Sequence, residues 1–315
     1  MLKHFVLIAT IAALTSCNPC TYTLEPCLKY TPGKEWVKER ASAFEPLTAE
    51  ELHTDWGKEI LIAGNFAPRL DLYRAITGYK RALILMPEGL TERRWQAEYC
   101  ILLSYYLGDK PCEVVEEFEA GTLSAVPETF PVFRDMLIIL VESYRKAGNP
   151  YKAQLLENVL KNYDAGAATN LELYRAIKRA DFCEIQTLSS QSSNPDYHRE
   201  WLDCYCSEAL SVRKAQILNA LLPGAGYYYA GQKRTAFTAF VLNAAFIAAT
   251  YQFFHEGYTA AGIITASLEF GWYFGGINGA GLSAKLYNEH RYNCYAMDAL
   301  GRNKLYPALM IEHAF

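Results

Sequence analysis

The chain has 315 residues, a formal net charge of −4 and a charged fraction of 20%, below the roughly 25% of soluble domains. That length suits about two domains, and the lack of a basic stripe excludes nucleic acid as an expected partner. The apolar fraction of 51% is slightly high, and the excess collects after residue 215.

Residues 5–14 form an apolar run behind Lys3, and Leu14-Thr15-Ser16-Cys17 follows it. A basic start, an apolar stretch and small residues describe a secretory signal peptide. Ending in cysteine, the segment resembles the bacterial lipobox. The resemblance implies that residues 1–16 are removed and that Cys17 carries a covalent lipid, with no other cofactor. It also implies a lipid-anchored protein of the bacterial cell membrane whose helical domain lies in the periplasm. The alternative is an uncleaved N-terminal anchor.

Residues 17–46 hold Pro19, Pro26, Pro32 and Gly33 with little apolar period. They read as an extended tether with a short helix near residues 36–40; the alternative is a segment packed along the next domain. Nine cysteines include Cys17, and in an exported chain the others permit disulfides. Cys100 and Cys112 fall in helix-like stretches and read as packed thiols. Cys204 and Cys206 with His198 offer two thiols from one short segment, which does not complete a four-ligand metal set, so no metal is expected.

Residues 47–188 carry helical periodicity. Thr48 and Glu51 form a capping box, and Leu52, Trp56, Ile60 and Ala63 share one helix face up to Gly64-Asn65. A second helix is expected to start after Pro68 and run to Leu85. Further helices are marked by Gly108-Asp109, Pro111, Gly148-Asn149 and Pro150 at their ends. Tyr79, Ala82 and Pro87, together with Ser143-Tyr144-Arg145-Lys146-Ala147-Gly148, resemble the tetratricopeptide repeat. Leu70-Asp71-Leu72-Tyr73-Arg74-Ala75-Ile76 is echoed at residues 171–177, close to three repeats of about 34 residues later. The resemblance implies degenerate helix pairs that hold a protein or peptide partner on a concave face. An irregular α-bundle is the alternative.

Residues 189–211 read as a linker followed by one more helix. Residues 236–254 carry no formal charge and are long enough to cross a hydrocarbon core of about 30 Å. After His255-Glu256-Gly257, a second apolar stretch holds Glu269, whose cost brings its insertion balance to about zero. Gly271, Gly275 and Gly279 stand four apart, a ridge suited to helix packing and to a homo-oligomer. Glu269 is expected on that contact, bonded to Asn243 or Asn278. It reads as packing glue or as an ion-handling site. The whole is an all-α chain, with tetratricopeptide-like repeats followed by a transmembrane helical hairpin over residues 212–290 and a tail over residues 291–315.

Leu222-Pro223-Gly224-Ala225-Gly226-Tyr227-Tyr228-Tyr229-Ala230-Gly231-Gln232, with Glu269-Phe270-Gly271-Trp272 later, resembles a bacterial membrane-domain family related to TM2-like two-helix domains. The shared signature rests on Pro223, Gly224, Gly226 and Gly231. The resemblance carries no established reaction. Topology stays open between a hairpin and a third crossing by residues 215–232. No catalytic constellation is present in the sequence, and an enzyme is not expected. The chain reads as a membrane-anchored lipoprotein scaffold for envelope assembly or secretion, with membrane, envelope proteins or peptides as partners. The alternative is a small transport component centred on the hairpin.

Overall fold

The computed structural model describes residues 24–28, 33–192 and 194–315. It is 77% helix and holds no β-strand among those residues, so the fold class is all-α. The expected signal peptide and Cys17 lie outside the described residues. The chain divides into two compact units. A helical-pair unit comprises Lys29–Ala176, Cys183–Asn194 and Ala299–Phe315. An apolar-helix unit comprises residues 24–28, Ile177–Phe182 and Pro195–Asp298.

In the helical-pair unit, α1 (Ala49–His53) opens on the expected capping box: Glu51 N donates to Thr48 Oγ1 at 3.2 Å and Thr48 N donates to Glu51 Oε2 at 2.7 Å. The single helix expected here is broken at Thr54, whose hydroxyl accepts from Gly57 N at 3.0 Å and starts α2 (Asp55–Phe66). Gly57 lies against the Glu51 carbonyl, leaving no room for a side chain. The next helix, α3 (Leu72–Leu85), starts after Pro68 and ends at Leu85, as expected. Leu70 adopts a left-handed φ of 62° and Asp71 caps the new helix. Small residues then let α2 and α3 approach. Ala63, Ala75 and Ala82 are fully buried, and a Cβ on Gly78 would stand 2.9 Å from that of Ala63.

The ends marked by glycine and proline fall where expected in α4 (Thr91–Leu107), α5 (Pro111–Ala120), α6 (Phe133–Lys146) and α7 (Pro150–Tyr163). Consecutive helices from α2 to α7 pack side by side, and α4 also touches α6. The large side chains Tyr99, Ile101, Leu102 and Leu103 of α4 fill the centre with Ile138, Ile139 and Leu140 of α6. Then follow α8 (Ala165–Arg179) and α9 (Phe182–Ser189). The echoed heptapeptide does not mark one repeat position. Residues 70–76 straddle the start of α3, whereas residues 171–177 lie within α8.

Two boundaries are corrected. From residue 33 the expected tether is packed: Trp36 and Val37 are buried, and the Phe44 ring lies 5.9 Å from Tyr99 and 5.8 Å from Phe130. The apolar side chains outweigh the proline content once a core is available. The tail over residues 291–315 is likewise no free extension. Its first part continues a helix, and residues 299–315 join the helical-pair unit. Met310, Ile311 and Ala314 are buried there, and Ala314 N donates to Ala41 O at 3.1 Å. The buried Asp135 carboxylate accepts from Glu312 N at 3.1 Å and His313 N at 2.9 Å. Beside it, Arg134 donates to Asp164 Oδ2 at 2.7 Å and Met310 O at 2.8 Å.

The apolar-helix unit contains α10 (Pro195–Glu208), α11 (Val212–Leu221), α12 (Ala225–Tyr229), α13 (Lys233–His255) and α14 (Thr259–Arg302). The helix expected after the linker is thus present as α10. Trp201 and Tyr205 of α10 are buried with Phe182 and Tyr292, the Tyr205 and Tyr292 rings standing 5.4 Å apart. With 23 residues, α13 is about 34 Å long, the span of a hydrocarbon core. Among the described residues it is the one helix long and apolar enough to cross a membrane, and only 6% of its apolar window is buried. The first half of α14 falls short of that measure, as Glu269, Asn278 and the glycines dilute its apolar content.

Candidate functional site

The signature residues form the hub of the apolar-helix unit. Ser211 caps α11, its hydroxyl accepting from Lys214 N at 3.2 Å. Pro223 forces Leu222 into extended backbone and stops the helix. Gly224 then turns the chain with a φ of +94°, a conformation that costs glycine least. Its N–H donates to the buried Asn219 Oδ1 at 2.9 Å, and a side chain here would strike the Ala236 carbonyl of α13. A side chain at Gly226 would strike the Ala215 carbonyl and come within 2.7 Å of the Ala280 Cβ. So Gly226 is where α11, α12 and α14 meet. Tyr273 OH of α14 donates to Ala220 O at 2.5 Å. Gly231, with a φ of +81°, makes the turn into α13. Each signature residue thus has a backbone or packing reason. Asn219, which pins the turn, was missed in the sequence; its signal was one amide in an apolar run just before Pro-Gly.

Near the far turn, α13 and α14 pair through a 3.1 Å hydrogen bond between the Thr250 and Thr265 hydroxyls. Nearer the hub a space of about 390 Å³ remains, lined by Asn219, Tyr227, Asn243, Gly271, Trp272 and Gly275 among others. Asn243 is buried. Its Nδ2 donates to Ala239 O at 2.6 Å, and its Oδ1 has no partner. Both Glu269 carboxylate oxygens are also buried without a hydrogen bond, so the expected bond to Asn243 or Asn278 is not made.

The glycine ridge is divided. Gly271 and Gly275 face open space, whereas Gly279 lies beneath the Tyr227 hydroxyl. Positions four apart drift about 40° around a helix at each step, so three of them do not share one neighbour.

The thiol–histidine set does not converge on a metal. Cys206 is disulfide-bonded, and Cys204 is a free, exposed thiol. The buried His198 Nδ1 accepts the Trp201 indole N–H at 3.2 Å, and burial lowers its pKa. Among the described residues no three His, Cys, Asp or Glu side chains are grouped for a metal ion. Cys100 is a packed thiol as expected, pushed up to about 12 by burial, but Cys112 is exposed. A further constraint is the buried Asn288. It holds Leu210 from both sides, accepting from its N–H at 2.7 Å and donating to its carbonyl at 2.8 Å.

The helical-pair unit has a cleft of about 820 Å³ between residues 43–51, the start of α4 and residues 127–131. Phe44, Trp95 and Phe130 form an aromatic wall, and the Trp95 indole N–H has no partner. Arg93 beside it is saturated: it donates to both Glu51 oxygens at 2.8 Å and to the carbonyls of Glu45 and Pro46. That arginine fastens the cleft wall and has no donor left for a ligand. No protein-family model matches the chain, nor does any curated protein or solved structure.

Proposed function

We propose that this protein is a membrane-anchored lipoprotein scaffold of a bacterial envelope, in which tetratricopeptide-like helix pairs hold protein or peptide partners during assembly or secretion. The α13–α14 hairpin and the lipid on Cys17 fix it to the bilayer, with the helix pairs in the periplasm. The observation that carries this reading is where the chain goes after the hairpin. Residues 299–315 belong to the same unit as residues 33–176, so the intervening segment must leave and return on one side. That supports two crossings over three. Phe237, Ile247, Ile263, Leu268 and Phe270 are each more than half exposed, the kind of apolar exposure that favours a membrane face. The disulfide at Cys206 favours an oxidising compartment. The aromatic cleft with its unpartnered Trp95 N–H favours a peptide on the helix pairs.

The test is labelling of single introduced cysteines in intact cells with a membrane-impermeant thiol reagent. Sites at Glu92 and Lys304 are expected to label together from the periplasm, and a site at Glu256 to stay protected. Labelling of Glu256 alongside Glu92 would refute the hairpin.

A second reading, a small transport component, is favoured by one observation, the two buried Glu269 oxygens without a hydrogen-bond partner. Glu269→Gln at unchanged protein level should abolish function under that reading and leave it intact under the scaffold reading.

A further inference from the structure

Where α11 breaks at Pro223, the unit opens a groove of about 810 Å³. Leu222, Pro223, Phe237 and Phe240 wall it, and Tyr229 and Lys233 stand at its rim. The walls are apolar yet open: Leu222 is 51% exposed and Phe237 70%. The groove is held by rigid parts, because Asn219 fixes the turn and the Tyr229 hydroxyl accepts from Ser211 N at 3.1 Å.

Its rim is charged with one sign. Between Glu208 and Glu256 the only formal charges are Arg213, Lys214, Lys233 and Arg234, all basic. The Lys214 ammonium stands 5.0 Å over the ring of Tyr229, which itself lines the groove, so a second cation adjoins the rim. Lys233 and Arg234 are exposed and form no ion pair among the described residues. At the start of α13 the Lys233 amide donates to Gly231 O at 3.1 Å, and Gln232 supplies no side-chain cap for the amides that follow. Open amides at a helix start favour an anion.

We infer that this groove binds one anionic phospholipid, its phosphate held between Lys233, Lys214 and the start of α13, and an acyl chain lying along Leu222, Phe237 and Phe240. The apolar walls select a lipid over a free anion. The unbalanced positive charge selects an anionic headgroup over a zwitterionic one. The inference rests on the membrane reading above. It also accounts for basic residues at an outward-facing membrane boundary, against the usual positive-inside bias.

The experiment uses the full-length protein in vesicles of phosphatidylcholine, alone or mixed with phosphatidylglycerol. Flotation is followed by mass analysis of the lipid that stays bound in detergent. The wild type is expected to float with both vesicles and to retain phosphatidylglycerol selectively. The double variant Lys233→Gln, Arg234→Gln should still float but lose at least about five-fold of that selectivity, since each basic residue near an anionic surface contributes about that factor. Lys233→Arg should keep it. Excess inorganic phosphate should not displace the lipid. Equal retention of both lipids, selectivity unchanged in the double variant, or displacement by phosphate alone would each overturn the inference while leaving the membrane reading intact. Failure to float with either vesicle would overturn that reading and this inference with it.

Discussion

In the helical-pair unit the largest fully buried side chains are Tyr99, Ile101, Leu102, Leu103 and Ile138, and the residues between close helices are alanine and glycine. Residues 212–284 reverse this. Apart from Val212, their buried positions are small residues or amides, among them Ala215, Asn219, Gly226, Ala236, Asn243, Ala280 and Ala284, while Phe237, Ile247, Phe270 and Trp272 point outward. The membrane reading proposed above accounts for this contrast as sorting of the same amino acids by two different solvents. In water, burying an apolar side chain stabilises by about 1.5–3 kcal/mol, so the large ones go inside. In lipid that drive between helices is absent, and close contact of small residues with a few amides takes its place.

The sharpest way to break this comparison is at the latch of the helical-pair unit. Asp135→Ala leaves the Glu312 and His313 amides without their acceptor and removes one of the carboxylates paired with Arg134. A loss of about 3–5 kcal/mol is expected, read by chemical denaturation. A loss below about 1 kcal/mol would mean residues 307–315 are not part of that core.

Next in size is a matched pair. Ile247→Lys on α13 should cost about 2.5–3.5 kcal/mol of membrane insertion, whereas Ile84→Lys on α3, also exposed, should stay within about 0.5 kcal/mol of wild type. Equal effects on flotation and melting would remove the difference between the two solvents. At the hub, Gly226→Val should lower the melting stability in detergent by about 1–3 kcal/mol through overpacking. Gly271→Ala, facing open space, should be neutral or slightly stabilising.

The smallest effect is a pH dependence. Burial holds the His198 imidazole below the ordinary value of 6.5. Its contribution is therefore complete above 6.5 and is lost as the pH falls from there through the depressed folded value. The denaturation midpoint should drop on acidification, and His198→Gln should flatten that part of the profile. An unchanged slope in the variant would assign the acid sensitivity elsewhere.

Helix ends were legible because they are written locally. Thr48 with Glu51, Pro111, Pro150 and Gly148 act within a few residues of themselves, and each was placed within a residue or two. The signature turn was legible as a motif, but its reasons were not. The close approaches of Gly224 to Ala236 and of Gly226 to Ala280 join residues far apart in the chain. The same holds for Asp135 with Glu312 and for Asn288 with Leu210. A lone acid or amide in an apolar stretch signals only that some partner exists. Trp36, Val37 and Phe44 were read as tether because proline dominates their neighbourhood, and three apolar side chains have no visible period.

The Asp135 latch also sets an order of events. Residues 310–314 leave the ribosome only after the greasy hairpin has been made, yet they fill a gap in a body whose other walls were completed long before. Until they arrive, Arg134 and Asp135 sit beside an open seam. Completion of the helical-pair unit is therefore timed by synthesis of the apolar-helix unit, and a chain stalled before residue 312 would leave Asp135 without its partner amides.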